Sequence, residues 1–149
     1  MIREEKLPSD ILEKLNSLPG RINKDKDIIA LFVFGSAVDG RLKPLSDIDL
    51  AVLLDAEMNK SQLFNKELDL RSTIAQVLKT EEFDLVNLNL APARFAHNVL
   101  TDGKLLFCRK NLVLADFIEN NTRKYLDFKY YRDEFDRTFR ELLNDKYNG

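Results

Sequence analysis

The chain has 149 residues, with 23 lysines and arginines against 25 aspartates and glutamates, and 44% of its residues are hydrophobic. This length predicts a single domain, and the apolar content is too high for a disordered chain. The formal net charge of -2 provides no excess of positive charge for binding phosphates along a nucleic acid. We therefore expect no direct nucleic-acid partner.

Cysteine usage and hydropathy predict where the protein works. The single Cys108 excludes a disulfide framework and a cysteine-cluster metal site, and it suits a reducing compartment. No apolar run in the sequence reaches the ~18 residues needed to cross a bilayer. Acidic residues at Glu4 and Glu5 argue against a secretory signal. We expect a cytoplasmic protein that is neither exported nor embedded in a membrane.

Apolar periodicity predicts helices and strands that alternate along the chain. A short amphipathic helix is expected behind Ser9, with Pro19-Gly20 as its end, and an unbroken apolar run at 28–34 suits a strand buried on both faces. Further elements are predicted as a strand at 47–54, a helix at 60–79, a strand at 83–90, a helix at 94–100 and a strand at 104–108. The predicted fold class is α/β (α+β), with a small mixed sheet flanked by helices.

The last segment has apolar residues at helical spacing and no proline or glycine before the final residue. An unbroken helix over 112–143 would be about 48 Å long. A body of ~110 residues is only ~35 Å across. Two interpretations stay open: the helix breaks near 120–122, or its end projects and binds a partner in a homo-oligomer or a hetero-complex. The pattern divides the chain into a domain at 1–110 and a helical extension at 111–149.

The residues that indicate chemistry lie around the first two predicted strands. Gly35-Ser36 follow the first strand, and Asp47 and Asp49 open the second. Alternation places both carboxylates on one strand face, where their charges repel unless a cation lies between them. Magnesium fits because it takes oxygen ligands from carboxylates and substrate phosphates. Gly35 lets a phosphate approach the backbone and Ser36 adds a hydroxyl, so the pattern predicts a site for a metal-bound nucleoside triphosphate.

This arrangement of a buried strand, Gly35-Ser36 and then Asp47-Ile48-Asp49 resembles the nucleotidyltransferase superfamily that includes DNA polymerase beta. The resemblance covers about residues 25–110. It is greatest with the minimal nucleotidyltransferases, the MNT antitoxins that pair with HEPN-domain toxins. It implies a third carboxylate on a neighbouring strand, and Asp84 matches that position. Relatives often carry another acid three residues on, where this chain has Asn87.

The resemblance also implies an activity, which is transfer of AMP from ATP to a hydroxyl with two Mg²⁺ ions. The implied acceptor is a tyrosine of a cognate HEPN ribonuclease toxin, which the modification neutralises. Two alternatives remain: transfer to a small molecule such as an aminoglycoside, and a non-catalytic antitoxin that occludes the toxin through residues 112–143. The implied roles fall on Asp47, Asp49 and Asp84 for catalysis and metal binding, and on Gly35 and Ser36 for binding the nucleotide phosphates.

Other candidate residues carry weaker signals. Arg41 and Lys43 lie in the loop before the second strand and are expected to be solvated. His97 has no cysteine or second histidine nearby with which to share a metal. The aromatic residues between 125 and 139 have near-helical spacing. We predict a surface or packing role for His97 and a packing role for these aromatic residues.

Overall fold

The fold is described from a computed structural model, which covers residues 11–35 and 48–148, with side chains as far as residue 145. Helices and strands follow one another in the order that the periodicity predicts. In these ranges no helix combines the length and apolar character that crossing a membrane requires. The elements are α1 (Ile11–Ile22), β1 (Ile28–Phe34), β2 (Ile48–Leu54), α2 (Lys60–Leu78), β3 (Phe83–Asn87), α3 (Ala93–Asp102), β4 (Lys104–Cys108) and α4 (Asn111–Asn148).

The four strands form one mixed sheet in the order β3-β2-β1-β4. Strand β1 is antiparallel to both β2 and β4, whereas β2 and β3 are parallel. The predicted mixed sheet is confirmed. Six of the seven residues of β1 are buried, as its unbroken apolar run predicts for a central strand.

Helices cover both faces of the sheet and create two apolar cores. Helices α1 and α2 pack on one face, and α3 and the start of α4 pack on the other. Burial on two sides explains why β1 and β2 are apolar at almost every position. The first core includes Leu15, Leu18, Leu31, Leu50, Ile74 and Leu78, and the second includes Ile29, Phe32, Ala51, Leu53, Val99 and Leu114.

Helix α1 does not end at Pro19-Gly20, so that prediction is wrong. The helix continues to Ile22, and the backbone N–H of Asn23 donates to the Pro19 carbonyl at 3.0 Å. Proline removes one intrahelical hydrogen bond. Leu18 and Ile22, one turn apart, are both buried in the first core. Burial of Ile22 therefore extends the helix past the proline.

Strand β3 is shorter than the predicted 83–90. It ends at Asn87, whose carbonyl accepts a turn hydrogen bond from the Leu90 N–H at 3.1 Å. The Asn89 side chain then forms the hydrogen bonds that a neighbouring strand would form with the end of β2. Its Oδ1 accepts from the Leu54 N–H and its Nδ2 donates to the Leu54 carbonyl, both at 2.8 Å. Leu88 stays buried beyond the strand end, which is why the apolar alternation outlasts the strand.

The turn between α1 and β1 is fixed by charged contacts. Lys66 of α2 lies 3.0 Å from the Asp25 carboxylate and 3.1 Å from that of Asp27. The hydrogen bond to Asp25 raises the pKa of Lys66, so the lysine stays charged. Arg109, which directly follows β4, donates to the carbonyls of Ile28 and Asp25, each at 3.3 Å. These contacts hold the start of β1 against α2 and β4.

Helix α4 runs without a break from Asn111 to Asn148, so of the two interpretations that the sequence left open, the break near 120–122 is excluded. Asn121 is buried, and its Nδ2 donates to the Ala93 carbonyl of α3 at 3.0 Å. Asn121, which interrupts the apolar pattern, therefore connects α4 to α3. The predicted packing role of His97 is confirmed, because its ring stacks on Tyr125 with centroids 4.1 Å apart.

The second half of α4 extends past the body of the protein. Thirty-eight residues of helix span about 57 Å. From Leu126 to Asp145 nearly every side chain is exposed. Large apolar side chains at spacings of three and four continue the helix face that Leu114 and Asn121 bury against the body. We call this set the distal stripe: Phe128, Tyr131, Phe135, Phe139 and Leu142.

Candidate active site

Three of the predicted site residues meet at one end of the sheet. Because β1 is antiparallel to β2 and β2 is parallel to β3, the end of β1 lies beside the starts of β2 and β3. Asp49 is in register with Phe34 on one side and with Asp84 on the other. Gly35 directly follows Phe34. Ser36 and Asp47, the other predicted residues, lie outside the part of the chain that the structure describes.

Gly35 is in close contact with the Asp49 carboxylate. Its φ of +73° is in the left-handed region that L side chains rarely adopt. A Cβ built on Gly35 would lie 2.4 Å from Asp49 Oδ2. Both the backbone conformation and the space therefore require glycine. The chain leaves β1 immediately beside a carboxylate.

Asp49 and Asp84 occupy aligned positions on neighbouring parallel strands, so their side chains share one face of the sheet. Asp49 is half-buried and Asp84 is exposed. Burial raises the pKa of the Asp49 carboxyl, and the negative charge of Asp84 raises it further. When both groups are ionised, the pair is unfavourable unless a positive charge lies close by.

This donor set fits magnesium. Carboxylate oxygens are the ligands that Mg²⁺ prefers, and a divalent cation would relieve the repulsion between Asp49 and Asp84. Within residues 11–35 and 48–148 no cluster of three or more histidine, cysteine, aspartate or glutamate side chains could hold a metal. Asp49 and Asp84 are two of the three carboxylates predicted to bind the metal, and the third, Asp47, lies outside the residues that the structure describes.

Asn87 is placed differently from Asp84. Alternation along β3 puts these two side chains on opposite faces of the sheet, and Asn87 is in register with Val52. Asn87 is buried, and its Oδ1 accepts a hydrogen bond from the Asn89 N–H at 2.9 Å. Of the two positions considered for a third carboxylate, Asp84 is the one beside Asp49.

Phe95 is a site neighbour that the sequence did not reveal. Its ring packs edge-on against Phe34, with centroids 5.8 Å apart and planes at 87°. Phe34 precedes Gly35 and is aligned with Asp49, so α3 forms a wall beside the carboxylates. Phe95 is 38% exposed. The spacing of apolar residues on α3 predicts that Phe95 lies on an apolar helix face. No pattern in the sequence predicts that this face contacts Phe34.

Similarity to known proteins covers most of the chain. Residues 16–112 match the family described as polymerase beta, nucleotidyltransferase. A protein adenylyltransferase MntA from Aphanizomenon flos-aquae (strain 2012/KM1/D3) is 30% identical over 110 residues, which are 70% of this chain and 72% of that protein.

Solved toxin–antitoxin structures share the fold. A crystal structure of a toxin–antitoxin with AMP-PNP has a TM-score of 0.64 at 22% identity, covering 84% of this chain and 97% of that one. The complex MntA-HepT has a TM-score of 0.60 at 20% identity, covering 86% and 97%. A tri-AMPylated Shewanella oneidensis HEPN toxin in complex with MNT antitoxin gives the same four values. At these identities the likeness shows the fold.

Replacing Gly35 with alanine is expected to destabilise the protein by about 1–2 kcal/mol, the cost of a left-handed backbone for an L residue, and to displace the Asp49 carboxylate. The matched control is Gly20→Ala in α1, where a built Cβ has nothing within 4 Å. The free energy of unfolding of this control variant should rise by about 0.5–1 kcal/mol. Urea denaturation of both variants measures the difference, and equal effects would contradict the assigned contact.

The repulsion between the two carboxylates predicts that Asp49→Asn stabilises the metal-free protein at neutral pH. A raised pKa means that the folded protein holds this proton more tightly than the unfolded chain, so stability from the protonated form is lost as pH rises through that pKa. The gain in Tm over wild type should be largest at neutral pH and vanish near pH ~4. Thermal melts in a chelator test this, and a variant less stable than wild type at neutral pH would contradict it.

Proposed function

Because this chain belongs to the polymerase beta nucleotidyltransferase family, we propose that it transfers AMP from ATP to a tyrosine hydroxyl of a HEPN-type toxin and so neutralises that toxin. The pairing of Asp49 with Asp84 beside Gly35 is the observation that carries this proposal. The name of the MntA relative, a protein adenylyltransferase, supports AMP transfer to a protein. The similar fold solved with AMP-PNP supports ATP as the donor.

The proposed reaction divides its tasks among five residues. Two Mg²⁺ ions, held by Asp47, Asp49 and Asp84, would neutralise the charge that develops on the leaving pyrophosphate. The backbone at Gly35 and the Ser36 hydroxyl bind the β- and γ-phosphates through N–H and O–H donors.

Asp84 is assigned to the attacking hydroxyl because it is exposed while Asp49 is half-buried. It accepts the tyrosine proton as the phenolic oxygen bonds to the α-phosphorus. The bond from the α-phosphorus to the bridging oxygen breaks, and pyrophosphate leaves. The product is a tyrosine carrying one adenylate.

A protein acceptor suits this architecture better than an aminoglycoside. A protein brings its own surface and needs only to deliver a hydroxyl to Asp84, whereas a small molecule needs a concave site that encloses it. The distal stripe offers an uncovered apolar surface of the kind that marks interfaces. We assign the stripe to toxin binding and residues 111–125 to the same unit as the catalytic domain. The reaction is assigned to the cytoplasm, where ATP is available.

Incubation with labelled ATP, Mg²⁺ and a HEPN-type toxin that binds this chain should place adenylate on the toxin, and changing one acceptor tyrosine of the toxin to phenylalanine should remove it. Asp84→Asn should slow transfer at least ~100-fold while ATP–Mg²⁺ affinity is largely kept. Glu81→Gln, which removes an exposed charge three residues away, is the matched control and should retain the wild-type rate.

Two outcomes of this assay would favour the alternatives. Label on an aminoglycoside instead of the protein would identify a small-molecule transferase. Inhibition of the toxin without any label, unaffected by Asp84→Asn, would identify a non-catalytic antitoxin. Wild-type transfer by Asp84→Asn would show that another group receives the proton.

Phe135→Glu should weaken binding of the toxin at least ~30-fold, which is the effect of losing a contact worth about 2 kcal/mol. ATP affinity should not change, because none of the proposed phosphate and metal residues belongs to α4. Tyr130→Glu is the matched control: Tyr130 is 59% exposed against 68% for Phe135, and it lies on another face of α4. Calorimetric titration measures both affinities. Equal losses in the two variants would exclude the distal stripe as the docking surface.

A further inference from the structure

The distal stripe repeats at an interval that fits a second helix. Every seventh residue of α4 from position 114 belongs to one series, which is Leu114, Asn121, Phe128, Phe135 and Leu142. The first two are buried against the body, and the other three are more than half exposed. A seven-residue repeat keeps an apolar seam facing a partner helix, because helices that coil around each other have ~3.5 residues per turn. The spacing therefore fits a helix that lies along the stripe.

The stripe offers most of the surface that a stable contact needs. Its five side chains are between 52% and 71% exposed. At ~200 Å² for each large side chain, they present about 600 Å² of apolar surface. A stable interface buries about 800 Å² on each partner. Residues along the edges of the stripe therefore also contact whatever covers it, and their charges bear on which partner fits.

One edge of the stripe is acidic. Asp127, Glu134 and Glu141 each directly precede a stripe residue, so they lie on the same side of it, and we call these three residues the acidic edge. Among the described residues, neither Asp127 nor Glu141 forms an ion pair, whereas Glu134 pairs with Arg137. The hydrogen bond from Glu134, together with the charges of Glu134 and Glu141, raises the pKa of Arg137. One arginine serves two of the three acids, so the edge keeps a net negative charge.

A second copy of this chain does not fit along the stripe in a parallel orientation. Leu114 and Asn121 face the body, on the same side of α4 that the stripe continues. In a parallel pair the stripes would face each other, so each body would lie on the side occupied by the other copy. The body of one chain would then overlap the first half of α4 in the other.

An antiparallel copy avoids this overlap but brings like charges together. The two-fold axis that relates two antiparallel helices places each edge of the stripe beside the same edge of the other copy. The acidic edge would therefore lie along a second acidic edge. Arg137 cannot neutralise both, because it already pairs with Glu134 of its own helix. Repulsion between the edges disfavours this pairing, since charges flanking an apolar seam set partner choice and orientation.

We propose that the distal stripe binds one helix of the toxin along its length, and that the acidic edge selects a helix with lysine or arginine on the adjoining edge. This inference rests on the proposed function and deepens it by naming the kind of surface that the toxin presents. Partner cations at seven-residue intervals would each face one acid of the edge. The apolar seam supplies affinity, and the charges select the partner. The same charges oppose pairing of the chain with itself.

Two synthetic peptides test the charge preference without the toxin. Each is a helix of about three heptads with the same leucine seam, and its flanking positions carry only lysine in one peptide and only glutamate in the other. The like charges keep each peptide from pairing with itself. In calorimetric titration of the full chain at low salt, the lysine peptide should bind at least ~10-fold more tightly. The difference should shrink in about 1 M salt, where the Debye length is ~3 Å.

Reversing the charge of the acidic edge should reverse the preference. The double variant Asp127→Lys/Glu141→Lys leaves the stripe unchanged and should bind the glutamate peptide more tightly than the lysine peptide. Glu119→Lys/Asp133→Lys is the matched control, because these two exposed acids have the same separation in sequence and lie on the side of α4 away from the stripe. This control should keep the wild-type preference. The comparison of peptides on the wild-type chain decides the question even if a variant misfolds.

The same variants applied to the toxin connect the peptide result to the partner. Asp127→Lys/Glu141→Lys should bind the toxin at least ~10-fold more weakly than wild type, and the control variant should bind it like wild type. Equal binding of the two peptides by wild type, binding of neither, or an equal loss in the control variant would overturn the proposal. A wild-type dimer in sedimentation equilibrium that Phe135→Glu makes monomeric would also overturn it, because a second copy would then occupy the stripe.

Failure of this inference is distinguishable from failure of the proposed function. Adenylate on the toxin together with equal binding of the two peptides would keep the proposed function and reject the basic helix. A preference for the lysine peptide without any labelled toxin would reject the proposed function and leave the preference of the stripe for a basic helix intact.

Discussion

The pairing of β2 with β3 forces two like charges to share one face of the sheet, and the site depends on this constraint. Asp49 and Asp84 are aligned by the pairing of their strands, so both side chains start from neighbouring positions on one face for as long as the strand register holds. The backbone of Gly35 lies directly beside the Asp49 carboxylate. Burial and the neighbouring charge raise the pKa of Asp49, so the fold is less stable than it would be with a neutral side chain there. This is the compromise between stability and activity that binding sites commonly show.

Local pattern predicted most of the elements and the family. The apolar run of β1 predicted a strand buried on both faces, and the match over residues 16–112 confirms the family inferred from Gly35-Ser36 and Asp47-Ile48-Asp49. Side chains along a strand alternate between the two faces of the sheet, so the third predicted strand places Asp84 and Asn87 on opposite faces. The assigned roles of the site residues stay predictions, and Ser36 and Asp47 lie outside the described ranges.

The failures of sequence reasoning have a common physical cause, which is contact between distant residues. Pro19 is a local signal for a helix end, but burial of Ile22 in the first core outweighs it. Asn121 interrupts an apolar pattern, yet its partner is a carbonyl 28 positions earlier in the chain. Phe95 reaches the site only because α3 folds back over β1. The spacing of apolar residues along the chain indicates local secondary structure. It does not show which distant residues come into contact.

The uncovered half of α4 has a consequence for the lifetime of the chain. Most helical stability in proteins comes from tertiary packing, which the exposed half of α4 lacks, and exposed ion pairs between its turns, such as Arg137 with Glu134, contribute little. We therefore expect the free chain to open from this end first, which would expose the helix backbone to proteases. Whatever covers the distal stripe also protects it from degradation. The lifetime of the chain would then be longer when the distal stripe is covered than when it is exposed.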